Sequence, residues 1–177
     1  MSAPRGIEIV ENAFVQNDEM VRHLDALDHW EASRIGKNPG ISDLRTSSTC
    51  TTPIEPGATS SLFDDLRRNV LQLFKNYSFT YNVNLTSFEP TTFNRYKIHE
   101  KFSSHADYFE GSNRVVSAVL FLNDVGEGGE LLFTFFGYTI RPVPGRAVIF
   151  PSNYLFAHEA LPPRSEAKYS AAFWARG

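Results

Sequence analysis

Apolar positions in the first eighty residues follow the spacing of helices. Between residues 17 and 30, and again between 61 and 77, they fall three and four positions apart, as on a helix face that packs against a core. The two stripes consist, in chain order, of Met20, Val21, Leu24, Leu27 and Trp30, then Leu62, Phe63, Leu66, Val70, Leu73, Phe74 and Tyr77. We therefore predict two helices, over residues 17–30 and 61–77.

The segment between these helices, residues 33–60, is rich in Gly, Pro, Ser and Thr. This composition favours a long loop, with a strand predicted near Arg45–Thr51. Loops of this length in compact domains are often functional.

From about Leu85 onward the chain breaks into short runs rich in β-branched and aromatic residues, separated by turn-forming Gly, Pro, Asn and Asp. The predicted strands cover residues 114–122, 130–136, 138–143, 146–150 and 168–175. Strands that follow two helices indicate an α+β fold, either a β-sandwich or a jelly-roll barrel with helices on one face. We see no domain boundary and expect one domain over residues 1–177, with helical support over about 1–80 and the β-core over about 85–177.

Composition narrows the function classes. The chain has 177 residues, a net charge of −3 and one cysteine, so an intrachain disulfide and a zinc site of paired cysteines are both excluded. The charge argues against a nucleic-acid partner. Neither a membrane-spanning apolar run nor an amino-terminal signal sequence is present, so we expect a cytoplasmic location and no membrane partner.

The chemistry-bearing residues concentrate around His105 and Asp107. These two lie two positions apart, so on a strand both side chains project from one face and can hold a divalent metal. A third ligand from elsewhere would complete the two-histidine, one-carboxylate set of non-haem ferrous oxygenases. By itself, His-x-Asp is a weak signal and is more typical of a surface histidine paired with a carboxylate.

His158 is the candidate third ligand, 53 positions after His105 in an apolar run on a predicted late strand. The alternative is a hydrogen-bonded core histidine. We expect His23 and His29 to be solvated on the first helix, and His99 to be exposed or to contact substrate.

Lys168 begins the last predicted strand, where alternation places it on one face with Ser170, Ala172 and Trp174. A buried charge is costly unless it is paired, so a small acidic ligand is a fitting partner for Lys168. The alternative is an ammonium group that reaches water from the strand's first residue.

The segment from about Phe88 to Gly177 resembles the iron(II)- and 2-oxoglutarate-dependent dioxygenases, above all their prolyl 4-hydroxylase branch. Several sequence features carry the resemblance: Tyr96 nine positions before His105, Asp107 two positions after it, Lys168 ten positions after His158, Trp174 six positions after Lys168, the run Phe121–Glu130 with its Leu-Asn-Asp and Gly-Gly-Glu, the run Pro144–Pro151, and the early Arg45–Ser48.

The resemblance implies a double-stranded β-helix (jelly-roll) barrel in which His105, Asp107 and His158 hold Fe(II) and form the catalytic centre. It further implies that Lys168 pairs with the far carboxylate of 2-oxoglutarate and that Tyr96 hydrogen-bonds this cosubstrate. Trp174 and Phe121 would line the cofactor site. Dioxygen is the second cosubstrate, succinate and CO2 are released, and ascorbate is the expected reductant.

Three positions depart from the family pattern. His99 stands where glycine is usual, Phe102 where tyrosine is common, and Leu131 where a threonine often contacts the cosubstrate.

The leading hypothesis for the substrate is proline within a peptide or protein, held in a groove between mobile loops. Residues 33–60 and 108–114 are the candidate loops, with Arg45, Tyr108 and Arg114 as candidate contacts. A free amino acid or another small metabolite is the alternative.

Alkylated nucleic acid ranks third, since Asn94-Arg95-Tyr96 echoes the repair oxygenases but their paired arginines after the distal histidine are missing. A barrel that binds a ligand without turnover is the non-enzymatic reading. A short chain without a signal sequence fits a bacterial or viral enzyme better than a secretory one.

Overall fold

The computed structural model describes residues 2–34, 42–51 and 61–177. The first helix, α1, covers Asn17–Asp25 and buries Met20 and Leu24. It ends five residues before the predicted limit. The Leu27 N–H donates to the Leu24 carbonyl, and the Trp30 indole N–H donates to the same oxygen at 3.1 Å. These two bonds hold residues 27–30 against the end of the helix. Trp30 therefore packs against the core from outside the helix.

The second helix, α2, covers Ser61–Tyr81 and confirms the prediction with four additional residues. Its buried side chains lie on one stripe, since Leu62, Leu66, Val70, Phe74 and Tyr77 are the buried residues. Tyr77 also donates a hydrogen bond to the Gly6 carbonyl at 2.8 Å, which ties the helix to the amino-terminal segment.

The described residues contain twelve strands that pair only in antiparallel fashion, in two sheets. The larger sheet has the order β1-β10-β7-β12-β5-β3-β2, with β4 paired to β12, and the smaller has the order β6-β11-β8-β9. The strands are β1 (Glu8–Val10), β2 (Glu31–Ala32), β3 (Ser48–Thr51), β4 (Ser87–Phe88), β5 (Thr92–Tyr96), β6 (Phe102–His105), β7 (Arg114–Phe121), β8 (Leu131–Phe133), β9 (Tyr138–Ile140), β10 (Ala147–Pro151), β11 (His158–Ala160) and β12 (Lys168–Arg176).

All five strands predicted from the short runs are present, although β8 and β9 are shorter than expected. The early strand predicted near Arg45–Thr51 is present as β3, while β1, β2, β4 and β5 were not predicted. Of these four, β1, β2 and β4 have three residues or fewer, which is too short for a two-residue alternation to show. Residues 35–41 and 52–60 of the predicted loop lie outside the described part of the chain.

Two hydrophobic clusters lie on opposite faces of the larger sheet. On one face Tyr169, Ala171 and Phe173 of β12 pack with residues of α1 and α2. On the other face Phe121 and Phe150 pack with Phe133 of the smaller sheet. The protein is therefore a mixed α/β structure dominated by antiparallel sheets, with helices behind the larger sheet and the smaller sheet in front of it.

In the described ranges, we find no helix with both the length and the apolar character needed to cross a bilayer.

Candidate functional site

The smaller sheet brings His105 and His158 together. His105 is the last residue of β6, His158 is the first residue of β11, and the two lie directly opposite each other in the antiparallel pair. Asp107 lies at a bend two residues after β6, so the prediction that His105 and Asp107 share one strand is wrong. The late strand predicted for His158 is present as β11, but it begins only at His158, because Tyr154–Phe156 before it form a 3-10 turn.

The three predicted ligands converge on one space. The Nε2 atoms of His105 and His158 each lie 3.8 Å from a different oxygen of the Asp107 carboxylate. This separation is too long for hydrogen bonds, and the three ligand atoms all lie within 4.8 Å of one another. Two nitrogens and a carboxylate oxygen arranged in this way fit a divalent metal ion placed between them.

Backbone carbonyls orient both imidazole rings. The Nδ1 atom of His105 lies 2.9 Å from the Ser103 carbonyl, and that of His158 lies 3.1 Å from the Phe156 carbonyl. Because a carbonyl only accepts, Nδ1 carries the proton in each ring and the Nε2 lone pair faces Asp107. This is the tautomer that a metal requires at Nε2.

The protonation states also suit a metal. Burial and the neighbouring His158 lower the pKa of His105 to about 3, although Asp107 opposes the shift, so the ring is neutral. Burial alone would raise the pKa of Asp107. The two histidines and the hydrogen bonds from Ser117 and Trp174 outweigh burial, and the net pKa is lowered. A neutral imidazole and an ionised carboxylate are the forms that bind metal.

Lys168 lies inside the protein, with 2% of its surface exposed. Its Nζ donates to the Gly129 carbonyl at 2.9 Å and lies 4.4 Å from the ring centre of Tyr96, its partner across β5 and β12. Burial lowers its pKa to about 7, although Glu130 opposes the shift. Among the described residues no carboxylate lies within ion-pair distance of Nζ, so the remaining donors suit an anionic ligand.

Tyr96 connects Lys168 to the metal centre. It is buried beneath the lysine ammonium, its side chain hydrogen-bonds to Ser47, and its hydroxyl is close enough to Asp107 for the carboxylate to affect it electrostatically. Burial raises the pKa of Tyr96, so the phenol stays protonated. The candidate anion site and the candidate metal centre are therefore adjacent.

The two predicted lining residues have different surroundings. The indole N–H of Trp174 donates to the Asp107 carboxylate, which places Trp174 on the face predicted for it. Phe121 is fully buried in the cluster between the two sheets.

Arg45, a predicted substrate contact, lies beside the metal centre. Its guanidinium donates to Asn94 Oδ1 at 2.9 Å and stacks 4.4 Å above the ring of Phe102, which in turn stacks on His105. Burial lowers the pKa of Arg45, while Tyr96 and Asp107 oppose the shift.

The other two predicted contacts differ in accessibility. Tyr108 is 53% exposed next to Asp107. Arg114 is largely buried and donates to both carboxylate oxygens of Glu89, at 2.9 Å and 2.6 Å. Glu89 was not predicted, because it lies 25 positions away from Arg114 in the chain and no local motif marks it.

The three departures from the family pattern each have a structural counterpart. His99 is exposed in a turn at φ 69°, the left-handed conformation that glycine adopts without strain, so the turn forms with a histidine in place of glycine. Phe102 contributes the ring that stacks on His105. Leu131 is buried in the cluster between the sheets.

Neither of the remaining histidines takes part in the site. His23 is exposed on α1, as expected, with its ring 5.1 Å from that of Phe63. His29 is also exposed but lies beyond the end of α1, so its predicted place on the helix is wrong.

Comparisons with known proteins agree with this geometry. Residues 91–176 match the model of the 2OG-Fe(II) oxygenase superfamily. The chain aligns with "Probable prolyl 4-hydroxylase 9" of Arabidopsis thaliana at 28% identity over 111 aligned positions, and the alignment covers 46% of this chain but only 38% of the plant protein.

Two solved structures share the fold over nearly the whole chain. A Pseudomonas putida prolyl-4-hydroxylase superposes with a TM-score of 0.79 at 24% identity, covering 97% of this chain and 93% of that one. A Trichoplax adhaerens prolyl hydroxylase, solved in complex with a hypoxia inducible factor peptide fragment, superposes with a TM-score of 0.81 at 18% identity, covering 97% and 83%.

Proposed function

We propose, from the match of residues 91–176 to the 2OG-Fe(II) oxygenase superfamily model, that this protein is an oxidoreductase that hydroxylates proline in a peptide or protein. 2-Oxoglutarate is consumed in the reaction and released as succinate and CO2. The observation that carries the proposal is the convergence of His105, Asp107 and His158 next to the buried Lys168, whose ammonium has no ion-pair partner among the described residues.

Each of the site residues has a defined task. His105, Asp107 and His158 would hold Fe(II). When bound, the metal and 2-oxoglutarate supply the activation of dioxygen that hydroxylation of a C–H bond requires. Lys168 would bind the far carboxylate of 2-oxoglutarate through a charge-assisted hydrogen bond, with Tyr96 beside it. The apolar cluster around Phe133 and Phe150 excludes water from the metal side of the site.

We also propose that the two sheets form a double-stranded β-helix, or jelly-roll, barrel and that residues 1–177 are a single domain. The near-complete coverage of this chain by the two prolyl hydroxylase structures supports both statements. The smaller sheet would supply His105 and His158, and the larger sheet would supply Lys168 and Tyr96.

A peptide is the favoured substrate because exposed aromatic side chains lie next to the metal ligand Asp107. Tyr108 and Phe109 directly follow Asp107 and are 53% and 50% exposed. Exposed aromatic side chains next to a reactive centre suit an extended ligand that covers them. The peptide bound to the Trichoplax adhaerens structure supports the same class of substrate.

The direct test combines purified protein with Fe(II), 2-oxoglutarate, ascorbate as the proposed reductant, and a proline-rich peptide. We expect consumption of 2-oxoglutarate coupled to the gain of one oxygen atom by the peptide in mass spectrometry. His158→Ala should abolish both signals because one metal ligand is lost. His23→Ala, which removes an exposed histidine of α1, should retain them.

Parallel reactions with free proline and with methylated DNA determine the substrate class. Oxygen gain by free proline alone, or demethylation of the DNA alone, would contradict the proposal of a peptide substrate. Turnover by His158→Ala at the wild-type rate would contradict the ligand assignment.

A further inference from the structure

The Asp107 carboxylate accepts hydrogen bonds from two side chains. The Ser117 hydroxyl and the Trp174 indole N–H both donate to it. Ser117 Oγ also lies 2.8 Å from Ser152 Oγ. Since the single hydroxyl proton of Ser117 goes to Asp107, Ser152 is the donor in the serine pair. The carboxylate is therefore fixed by the larger sheet, where Ser117 of β7 and Trp174 of β12 lie directly opposite each other.

The Trp174 side of this arrangement continues outward to Arg114. The Arg114 guanidinium lies 3.9 Å above the indole ring, and its Nη1 donates to the Asp107 backbone carbonyl at 3.4 Å. Arg114 thus contacts both the residue that orients the carboxylate and the backbone that carries it.

Glu89 determines the orientation of Arg114. Its two carboxylate oxygens accept from Nε and Nη2 of Arg114 at 2.9 Å and 2.6 Å, a paired geometry that fixes the guanidinium plane. Glu89 is itself anchored, because its backbone N–H donates to the Trp174 carbonyl at 2.9 Å and its side chain also accepts from Arg176.

We propose that Glu89 is a positioning residue for the metal centre. By holding Arg114 flat against Trp174, it keeps the Asp107 carboxylate directed at His105 and His158. The inference rests on the proposed function in one respect, namely that these three residues bind a divalent metal.

Asp107 needs this support because its backbone is not part of a strand. Asp107 comes after the end of β6, so it has no place in the ladder of strand hydrogen bonds that fixes His105. An Arg114 released from Glu89 would lie within reach of Asp107 and could pair with its carboxylate directly. That pairing would compete with the metal for the same oxygens.

The same contacts leave Arg114 little capacity to bind a substrate. One edge of the guanidinium is occupied by Glu89, one face by Trp174, and Nη1 by the Asp107 carbonyl. If Glu89 and Arg114 support the metal centre, changing either residue should alter metal binding even when no substrate is present.

The test measures Co(II) affinity of the full chain in the absence of peptide and of 2-oxoglutarate. Glu89→Gln keeps the size of the side chain but removes the charge that holds Arg114. We expect Co(II) binding to weaken about 10-fold or more, as for other partners that orient metal ligands. We also expect an altered visible absorption spectrum at saturating Co(II), because the carboxylate ligand is displaced.

Two further variants make the test specific. Arg114→Lys keeps the positive charge but loses the planar, two-pronged contact to Glu89, so it should weaken Co(II) binding to a similar extent. Glu127→Gln removes an exposed carboxylate that lies 3.9 Å from Arg164, and it should leave the Co(II) affinity and spectrum unchanged.

The outcomes separate this inference from the proposed function. A wild-type protein that binds no Co(II) would contradict the metal centre itself. Wild-type binding together with unchanged affinity and spectrum in Glu89→Gln would overturn the positioning role. If circular dichroism shows that Glu89→Gln does not fold, Arg114→Lys decides by the same two measurements.

Discussion

The buried ammonium group of Lys168 lowers the free energy of unfolding when no anionic ligand is bound to it. Its Nζ is buried with one backbone carbonyl and the Tyr96 ring as partners, and burial lowers its pKa from 10.5 to about 7. Below pH 7 the lysine is protonated in both the folded and the unfolded chain, so the folded protein bears the whole penalty. Between pH 7 and pH 10.5 the folded state releases the proton first, and the penalty disappears.

We therefore expect Lys168→Met to stabilise the protein when metal and 2-oxoglutarate are absent. The gain in the free energy of unfolding should be on the order of a few kcal/mol at pH 6.5 and should shrink towards zero as the pH approaches 10. Urea unfolding at several pH values provides the measurement. Lys75→Met, at an exposed position of α2, is the control and should change stability by less than about 0.5 kcal/mol. A pH-independent gain in Lys168→Met would show that the charge of Lys168 is not the cause.

At the level of single residues, spacing along the chain located the triad and Lys168, but not the residues that hold the triad in place. His105 and Asp107 are two positions apart, a local relation that a sequence displays. Ser117 and Ser152 meet across 35 positions, through the pairing of β7 with the end of β10. Such contacts depend on strand register, which the hydrophobic pattern of one chain does not specify.

Among the structural elements, the turn between β9 and β10 shows how a single glycine allows close packing. Gly145 has φ 77°, its N–H donates to the Phe121 carbonyl, and its carbonyl accepts from Ala13. A Cβ at this position would lie 2.2 Å from the Phe14 carbonyl oxygen, which belongs to the backbone leading into α1. The turn and the helix entrance therefore pack together only when this residue lacks a side chain.

Gly145→Ala should consequently lower the melting temperature much more than a glycine replacement in open space. Gly137→Ala is the matched control, because Gly137 has φ 58° and a Cβ there would meet nothing within 4 Å. We expect Gly137→Ala to cost only the strained backbone, about 1–2 kcal/mol. Gly145→Ala should cost more than about 3 kcal/mol. Equal losses in the two variants, measured by thermal unfolding, would contradict the packing argument.

The pattern of apolar residues predicted long elements better than short ones. The seven-residue stripe of α2 extends over several turns, and the helix formed as predicted. The stripe of α1 continues to Trp30, but the helix stops at Asp25. Trp30 instead packs against the core from the segment after the helix, and its indole N–H donates to the Leu24 carbonyl. The position of Trp30 in the sequence therefore matches a helical stripe although the residue is not helical.

At the scale of the whole molecule, the two parts of the candidate site belong to different sheets. His105 and His158 lie on the smaller sheet, while Lys168 and Tyr96 pair within the larger sheet, which is backed by both helices. A ligand that contacts the metal at one end and Lys168 at the other would therefore connect the two sheets. Metal and 2-oxoglutarate should stabilise the folded protein together more than the sum of their separate effects.

This coupling gives a prediction for removal of the metal. A metal present at 100 times its dissociation constant stabilises the folded state by about 2.7 kcal/mol. For a chain of this length, that corresponds to a melting temperature higher by about 5–10 °C, which a chelator should reverse. Mn(II) can stand in for Fe(II), since it prefers similar ligands and avoids oxidation during heating. We expect a small shift with 2-oxoglutarate alone and the largest shift with both ligands.

Two variants separate the stabilisation by the metal, which the smaller sheet would bind, from the stabilisation by 2-oxoglutarate, which also needs the larger sheet. His158→Ala should lose the metal-dependent shift and, with it, the additional shift from 2-oxoglutarate, because the ion that would hold one end of the cosubstrate no longer binds. Lys168→Met should keep the shift caused by Mn(II) alone but lose the additional shift, because only the contact to the larger sheet is removed. An additional shift of wild-type size in Lys168→Met would mean that 2-oxoglutarate is held by the metal end alone. The two sheets would then be stabilised independently of each other, and Lys168 would need another partner to explain its buried charge.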